Sequence, residues 1–134
     1  MKTTTIRVET GRRPALVDLT GACERFVAGE GDGVLTAFVP HATAGILVME
    51  LHAGSEEDVL ATVERLLPHD ARWTHRHGSP GHGADHVLPL LVPPSVSIPV
   101  VDGHLLLGTW QSVALLDTNA DNSGRSIHLA FVAG

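Results

Sequence analysis

The sequence predicts an α+β fold in one domain spanning residues 1–134. Strand-like runs outnumber helical ones. The helical pieces do not alternate regularly with strands, as a parallel βαβ sheet would require. The C-terminal third reads as antiparallel strands joined by short turns. The size agrees, since 134 residues is one core's worth of chain.

The elements follow in order. Thr4 to Glu9 alternates as a first strand. Asp18 or Thr20 is placed to cap a short helix through Arg25-Phe26-Val27, ended by the glycines from Gly29 to Gly33. Val34 to Val39 and Ile46 to Leu51 are apolar on both faces, so both read as central strands. Ser55 is the expected N-cap of the main helix, with Glu56, Glu57 and Asp58 at the positive end of its dipole. Val59, Leu60, Val63, Leu66 and Leu67 follow helical spacing, and Pro68 closes the segment. His69 to Asp85 is the least regular stretch, and His86 to Val92 reads as a short helix or turn. Val96 to Val101 and His104 to Leu107 flank Asp102-Gly103, a hairpin signal. Thr109 to Thr118 and Ser126 to Val132 complete the strands.

Composition narrows the function. A hydrophobic fraction of 43% rules out wholesale disorder. The net charge of −6 argues against binding nucleic acid through bulk charge. One cysteine, Cys23, excludes an internal disulfide and any cysteine-cluster metal site. No apolar run is long enough to span a bilayer, and the first residues read as a strand rather than a secretory signal, so a cytoplasmic protein without membrane contact is expected. Nine histidines stand out, because protonating all of them would move the charge from −6 to +3.

Four constellations carry the chemistry. His41 and Thr43 lie at a tight join between two apolar strands, where a polar pair is costly unless it meets a ligand or satisfies the turn. Glu50 and His52 end the second of those strands, as a site or as a solvated rim. His75, His82 and His86 are candidate metal ligands, because neutral imidazole suits zinc, nickel or copper and a helix would put His82 and His86 on one side. Asp85 is either a further ligand or an orienting group, and solvated loop histidines are the plain alternative. Trp73 reads as a packing anchor beside Arg72 and Arg76. Finally, Gln111 and Asp117 bracket an apolar strip on one strand face. Asp117 and Arg125 form either an ion pair or phosphate grip, or a surface salt bridge across a hairpin, and the salt bridge, being common, has a slight edge.

Taken in order, several motifs resemble the YjbQ family, also called UPF0047, from about Thr4 to Gly134. They are His41-Ala42-Thr43-Ala44-Gly45 with Glu50, His75, Ala84-Asp85-His86, Ser95 with Ile98-Pro99-Val100, Gly103 with Leu107-Gly108-Thr109-Trp110-Gln111, Asp117 and Arg125. The resemblance implies a mixed, mainly antiparallel sheet folded on itself with one main helix. It implies a homotrimer with a polar pocket near the subunit boundary. Some members are described as thiamine-phosphate synthases, joining a pyrimidine diphosphate to a thiazole phosphate with release of pyrophosphate. Carried over by position, His41, Thr43 and Asp117 take catalytic places, and Gln111 and Arg125 bind substrate. The family usually has Asn where His82 stands, Glu where Asp117 stands, Thr where Ala42 stands and Gly near Pro93.

Two classes of function follow. One is a transferase of the thiamine-phosphate synthase type acting on small phosphorylated ligands, although Lys2 is the only lysine available to such a site. The other is a non-catalytic trimer that binds a metal or an anion. A metal-dependent hydrolase with zinc on His75, His82 and His86, and Glu50 or Asp117 as base, is a third reading. The divalent ion expected is zinc or magnesium.

Overall fold

The computed structural model describes residues 1–134. In chain order the elements are β1 (Lys2–Glu9), β2 (Ala15–Asp18), α1 (Thr20–Val27), β3 (Gly33–Phe38), β4 (Ala44–Met49) and α2 (Ser55–Leu66). The short α3 (Gly83–Val87) follows and runs into a 3₁₀ turn over Leu88–Leu90. Then come β5 (Ser95–Val101), β6 (His104–Leu105), β7 (Ser112–Asp117) and β8 (Gly124–Ala133). Every strand pairing is antiparallel. One sheet has the order β1-β8-β3-β5-β6 and the other β2-β7-β4. The fold is α+β, as the sequence predicts. No helix is long and apolar enough to cross a membrane.

The two sheets face each other across the main core. Leu35, Ala37, Ile98, Val100, Ile127, Leu129 and Phe131 come from the larger sheet, and Ala44, Ile46, Val113 and Leu115 from the smaller. From α1, Cys23, Phe26 and Val27 fill the same core, and Leu19 packs just before it. A second cluster lies on the far side of the smaller sheet. There Val63, Leu67, Ala84, Leu88 and Val92 pack on Leu116. Strand β7 is therefore buried on both faces. Val113 and Leu115 point to one core and Leu116 to the other, as a two-residue period requires.

Several elements differ from the sequence expectation. Strand β2 escaped it, being four residues that find their partner only across the chain, on β7. Strand β4 is an edge strand of its sheet, not a central one. Its apolar outer side is explained by the segment before β5, where Pro93 accepts a hydrogen bond from the Ile46 amide at 2.9 Å. Gly45 serves that contact. A Cβ there would stand 2.6 Å from Val92 Cγ1 and closer still to the Val92 carbonyl oxygen. Ser55 is the first residue of α2 rather than its cap. The cap position is Gly54, with φ 94°, and the Glu56 carboxylate turns back to the His52 amide. At α1 it is Asp18 that accepts the Thr20 amide at 2.9 Å, while the Thr20 hydroxyl accepts the Val113 amide. The hairpin at Asp102-Gly103 forms as expected, with both residues at positive φ.

Gly45→Ala should lower stability by about 1–3 kcal/mol through overpacking against Val92, read from the urea midpoint. An unchanged midpoint would mean that this segment is not held against the edge of β4.

Candidate functional site

Asp117 ends β7 on the side of Leu115, and Arg125 is the second residue of β8, on the side of Ile127. Both side chains are thus directed into the end of the inter-sheet core. Asp117 is 0% exposed and Arg125 2%. Their pair is bidentate, with Arg125 Nε donating to Oδ2 at 2.7 Å and Nη2 to Oδ1 at 3.0 Å. Asp117 also accepts the Thr10 hydroxyl at 2.6 Å and the Asn119 amide at 3.0 Å. Arg125 Nη2 donates to the Thr43 hydroxyl at 2.8 Å. This is a buried, satisfied ion pair, not a surface bridge across a hairpin. Low dielectric makes each hydrogen bond here costly to lose. His41 sits beside it and accepts the Ser126 amide on Nε2 at 3.1 Å. Burial, and next the Arg125 guanidinium, hold the His41 pKa below its usual value. Because Nε2 accepts that amide, the ring proton of His41 is assigned to Nδ1.

A second cluster forms on the helical side of the smaller sheet. His82 immediately precedes α3 and His86 lies within it, so one short turn puts their Nε2 atoms 3.0 Å apart. His75 approaches from the loop before them. One nitrogen from each of His75, His82 and His86 lies within 4.8 Å of the other two. His75 Nε2 and His82 Nδ1 are buried without a hydrogen-bond partner. Carboxylate oxygens of Asp121 and Asp85 come to 3.2 and 3.3 Å of His82 Nδ1, too poorly aligned to bond it. Burial first, then the neighbouring imidazoles, lower the pKa of both His75 and His86. Neutral rings converging on one point are the form in which imidazole binds a metal.

The support for this centre is built from groups distant in sequence. Asp85, buried in α3, accepts the Thr118 hydroxyl at 2.6 Å and His69 Nε2 at 2.8 Å on the same oxygen, Oδ1. The other nitrogen of His69 lies 2.8 Å from Glu64 Oε2. Burial depresses the His69 pKa, but hydrogen bonds to Glu64 and Asp85 outweigh it and the net shift is upward. A cleft of about 390 Å³ opens beside the cluster, lined by His69, Trp73, His75, Arg76, Ser79 and His82 among others. Trp73 is the packing anchor expected, half-buried against the second core and donating Nε1 to the Pro68 carbonyl at 2.8 Å.

The sequence-chosen residues therefore fall into two groups and an outlier. His41, Thr43, Asp117 and Arg125 gather at the end of the inter-sheet core. His75, His82 and His86 gather on the helical side. Gln111 joins neither. It is an exposed turn residue before β7 whose Oε1 accepts the Gly108 amide at 2.8 Å, at the opposite end of the strand from Asp117. The bracketed strip on one strand face is thus not formed, because β7 starts only at Ser112. Neighbouring Trp110 is 73% exposed. Glu50 and His52 are exposed at the end of β4. Sequence reasoning gave no role to His69, Asp121 or Thr118, and only Asp85 pointed toward them.

The geometry defines a small α+β protein with a three-imidazole centre on the helical flank of a two-sheet core. Comparison places it further. Residues 4–134 match the family model described as UPF0047 protein YjbQ-like. A UPF0047 protein of Mycobacterium tuberculosis is 54% identical over 134 residues, covering all of both chains. One from Archaeoglobus fulgidus is 31% identical over 122 residues, or 91% of this chain and 95% of that one. Crystal structures from Sulfolobus solfataricus and Aeropyrum pernix superpose with TM-scores of 0.90 each, at 27% and 29% identity. The first covers 99% of this chain and 97% of its own, and the second is covered in full on both sides. The chain belongs to the YjbQ family, UPF0047.

Arg125→Met should cost about 3–5 kcal/mol, because it strands the Asp117 carboxylate in the core. Urea unfolding measures this, and a loss under 1 kcal/mol would show the pair to be solvated. His69 gives a pH test. Its pKa is raised on folding, so its contribution is complete below the unfolded value near 6.5 and fades as pH rises through the folded value. The stability gap between wild type and His69→Gln should therefore be wider at about pH 6 than at about pH 8.5. A gap that widens with pH contradicts the assignment.

Proposed function

We propose that this protein binds a divalent transition-metal ion, zinc in preference to magnesium, on His75, His82 and His86. Its further role is to hold a small phosphorylated anion on that ion at the mouth of the cleft. The observation that carries the reading is the convergence of three imidazoles, with His75 Nε2 and His82 Nδ1 buried and lacking hydrogen-bond partners. An all-imidazole donor set suits zinc, nickel or copper, whereas magnesium prefers oxygen. Asp85, braced by His69 and Thr118, would orient His82 from behind. Arg76 lines the cleft without an acidic partner and adds positive charge for an anion.

Thiamine-phosphate synthesis is the second reading, carried by the family resemblance. At this centre an ion would draw charge from the departing pyrophosphate. Against it stands Arg125, whose Nε and Nη2 are already committed to Asp117 and Thr43. The hydrolase reading is less favoured, since of the two bases expected Asp117 is held by Arg125 and Glu50 is exposed at the end of β4. A homotrimer is part of the proposal. Its support is the outward face of the larger sheet, where the central strands β8, β3 and β5 present Ala130, Val132, Val34, Thr36, Phe38 and Ser97 with no Lys, Arg, Asp or Glu among their outward residues.

Protein made without a histidine tag should carry about one zinc per chain by elemental analysis, and His86→Ala should carry almost none. Chelation should lower Tm by removing a ligand specific to the native state. Light scattering should give three times the chain mass of 14.1 kDa. Zinc affinity equal in wild type and His86→Ala would end the metal reading. Pyrophosphate release from the two phosphate substrates by the metal-free protein would favour the synthase instead.

A further inference from the structure

We propose that His77 is a fourth, displaceable ligand of the metal centre. The site would then hold its ion in four imidazoles at rest and open toward the cleft when an anion replaces His77. This rests on the metal reading above and adds to it the residue that governs access.

His77 is exposed, and neither ring nitrogen hydrogen-bonds within the chain, yet its ring lies against the cluster. Its centroid is 3.9 Å from that of His75, 6.0 Å from His82 and 6.2 Å from His86. The other three separations are 4.0, 4.8 and 5.7 Å. With zinc–nitrogen bonds of about 2.0–2.1 Å and about 1.1 Å more to the ring centre, tetrahedral imidazoles would have centroids about 5 Å apart. The six distances scatter about that value, but His77 stands outside the set of three whose nitrogens converge within 4.8 Å, so its ring must turn inward to complete a four-imidazole shell.

An exposed ring with no hydrogen bond of its own can reorient about its side-chain torsions while the chain on either side stays tethered. After it, Gly78 has φ 80°, and a Cβ there would sit 2.6 Å from Asp121 Oδ2 and 3.1 Å from the His82 ring. The chain therefore passes directly over the centre at a residue free of side-chain hindrance. Ser79 is tied down by its amide donating to Asp121 Oδ2 at 3.1 Å, and Arg76 by Nη2 donating to the Ala71 carbonyl at 3.1 Å. His77 lies between these two anchors. His75, His82 and His86 are more deeply set and are the permanent ligands.

The test compares untagged wild type, His77→Gln and His86→Ala, each loaded with zinc and separately with cobalt(II). X-ray absorption at the zinc edge should count four imidazoles in wild type and three plus an oxygen donor in His77→Gln. Competition with a chelator should show zinc held roughly 10–100-fold more weakly by His77→Gln. Inorganic phosphate should shift the cobalt spectrum of His77→Gln at lower concentration than that of wild type. Three imidazoles in wild type, or equal affinities and phosphate responses in wild type and His77→Gln, would overturn the role of His77. If His86→Ala still loses zinc, the metal reading survives that failure. Zinc binding by wild type no tighter than by His86→Ala would overturn both.

Discussion

The architecture depends on β7 being buried on both faces. A strand in that position cannot send a side chain to solvent, so any polar residue on it must be satisfied inside the protein. The last residues of the strand and the one after it meet this demand in opposite directions. Asp117 turns to the inter-sheet core and takes four hydrogen bonds, two of them from Arg125. Thr118, one residue on, turns to the helical flank and donates to Asp85. A single alternation thus anchors two polar clusters back to back. Its rigidity comes from packing, with Val113, Leu115 and Leu116 fully enclosed.

The clusters use that anchor differently. Around Asp117 the polar groups satisfy one another, so the assembly fixes the ends of β4, β7 and β8 and leaves little capacity for a ligand. Around His82 satisfaction is incomplete. Two ring nitrogens are buried without partners, and burial lowers the pKa of His75 and His86. Orphaned buried groups cost about 1–3 kcal/mol each, so a native structure keeps them where something else completes them. That contrast directs the functional reading to the histidines rather than to the acid–arginine pair.

Much of this was legible in the sequence, because much of it is local. The i, i+4 relation of His82 and His86, the hairpin at Asp102-Gly103 and the helical face of Val59 to Leu67 all follow from short-range periodicity. What escaped is long-range. Strand β2 is defined only by β7. The outer edge of β4 is closed by Pro93, which no pattern within β4 announces. Burial of the Asp117–Arg125 pair needs Thr43, 82 residues from Arg125, and Thr10, 107 residues from Asp117. His69 looked like one more loop histidine until the fold brought Asp85 to it across 16 residues. Gln111 lies off the strand for a local reason, since its side chain accepts the Gly108 amide in the turn that precedes β7.

The chain has two tryptophans and no tyrosine. One indole, Trp73, lines the cleft beside His75, and the other, Trp110, stands in water at the far end of β7. Ultraviolet emission from this molecule is therefore a sum of two well-separated reporters. A quencher dissolved in the solvent would silence Trp110 first, leaving a residual signal that watches the histidine cleft without any introduced dye.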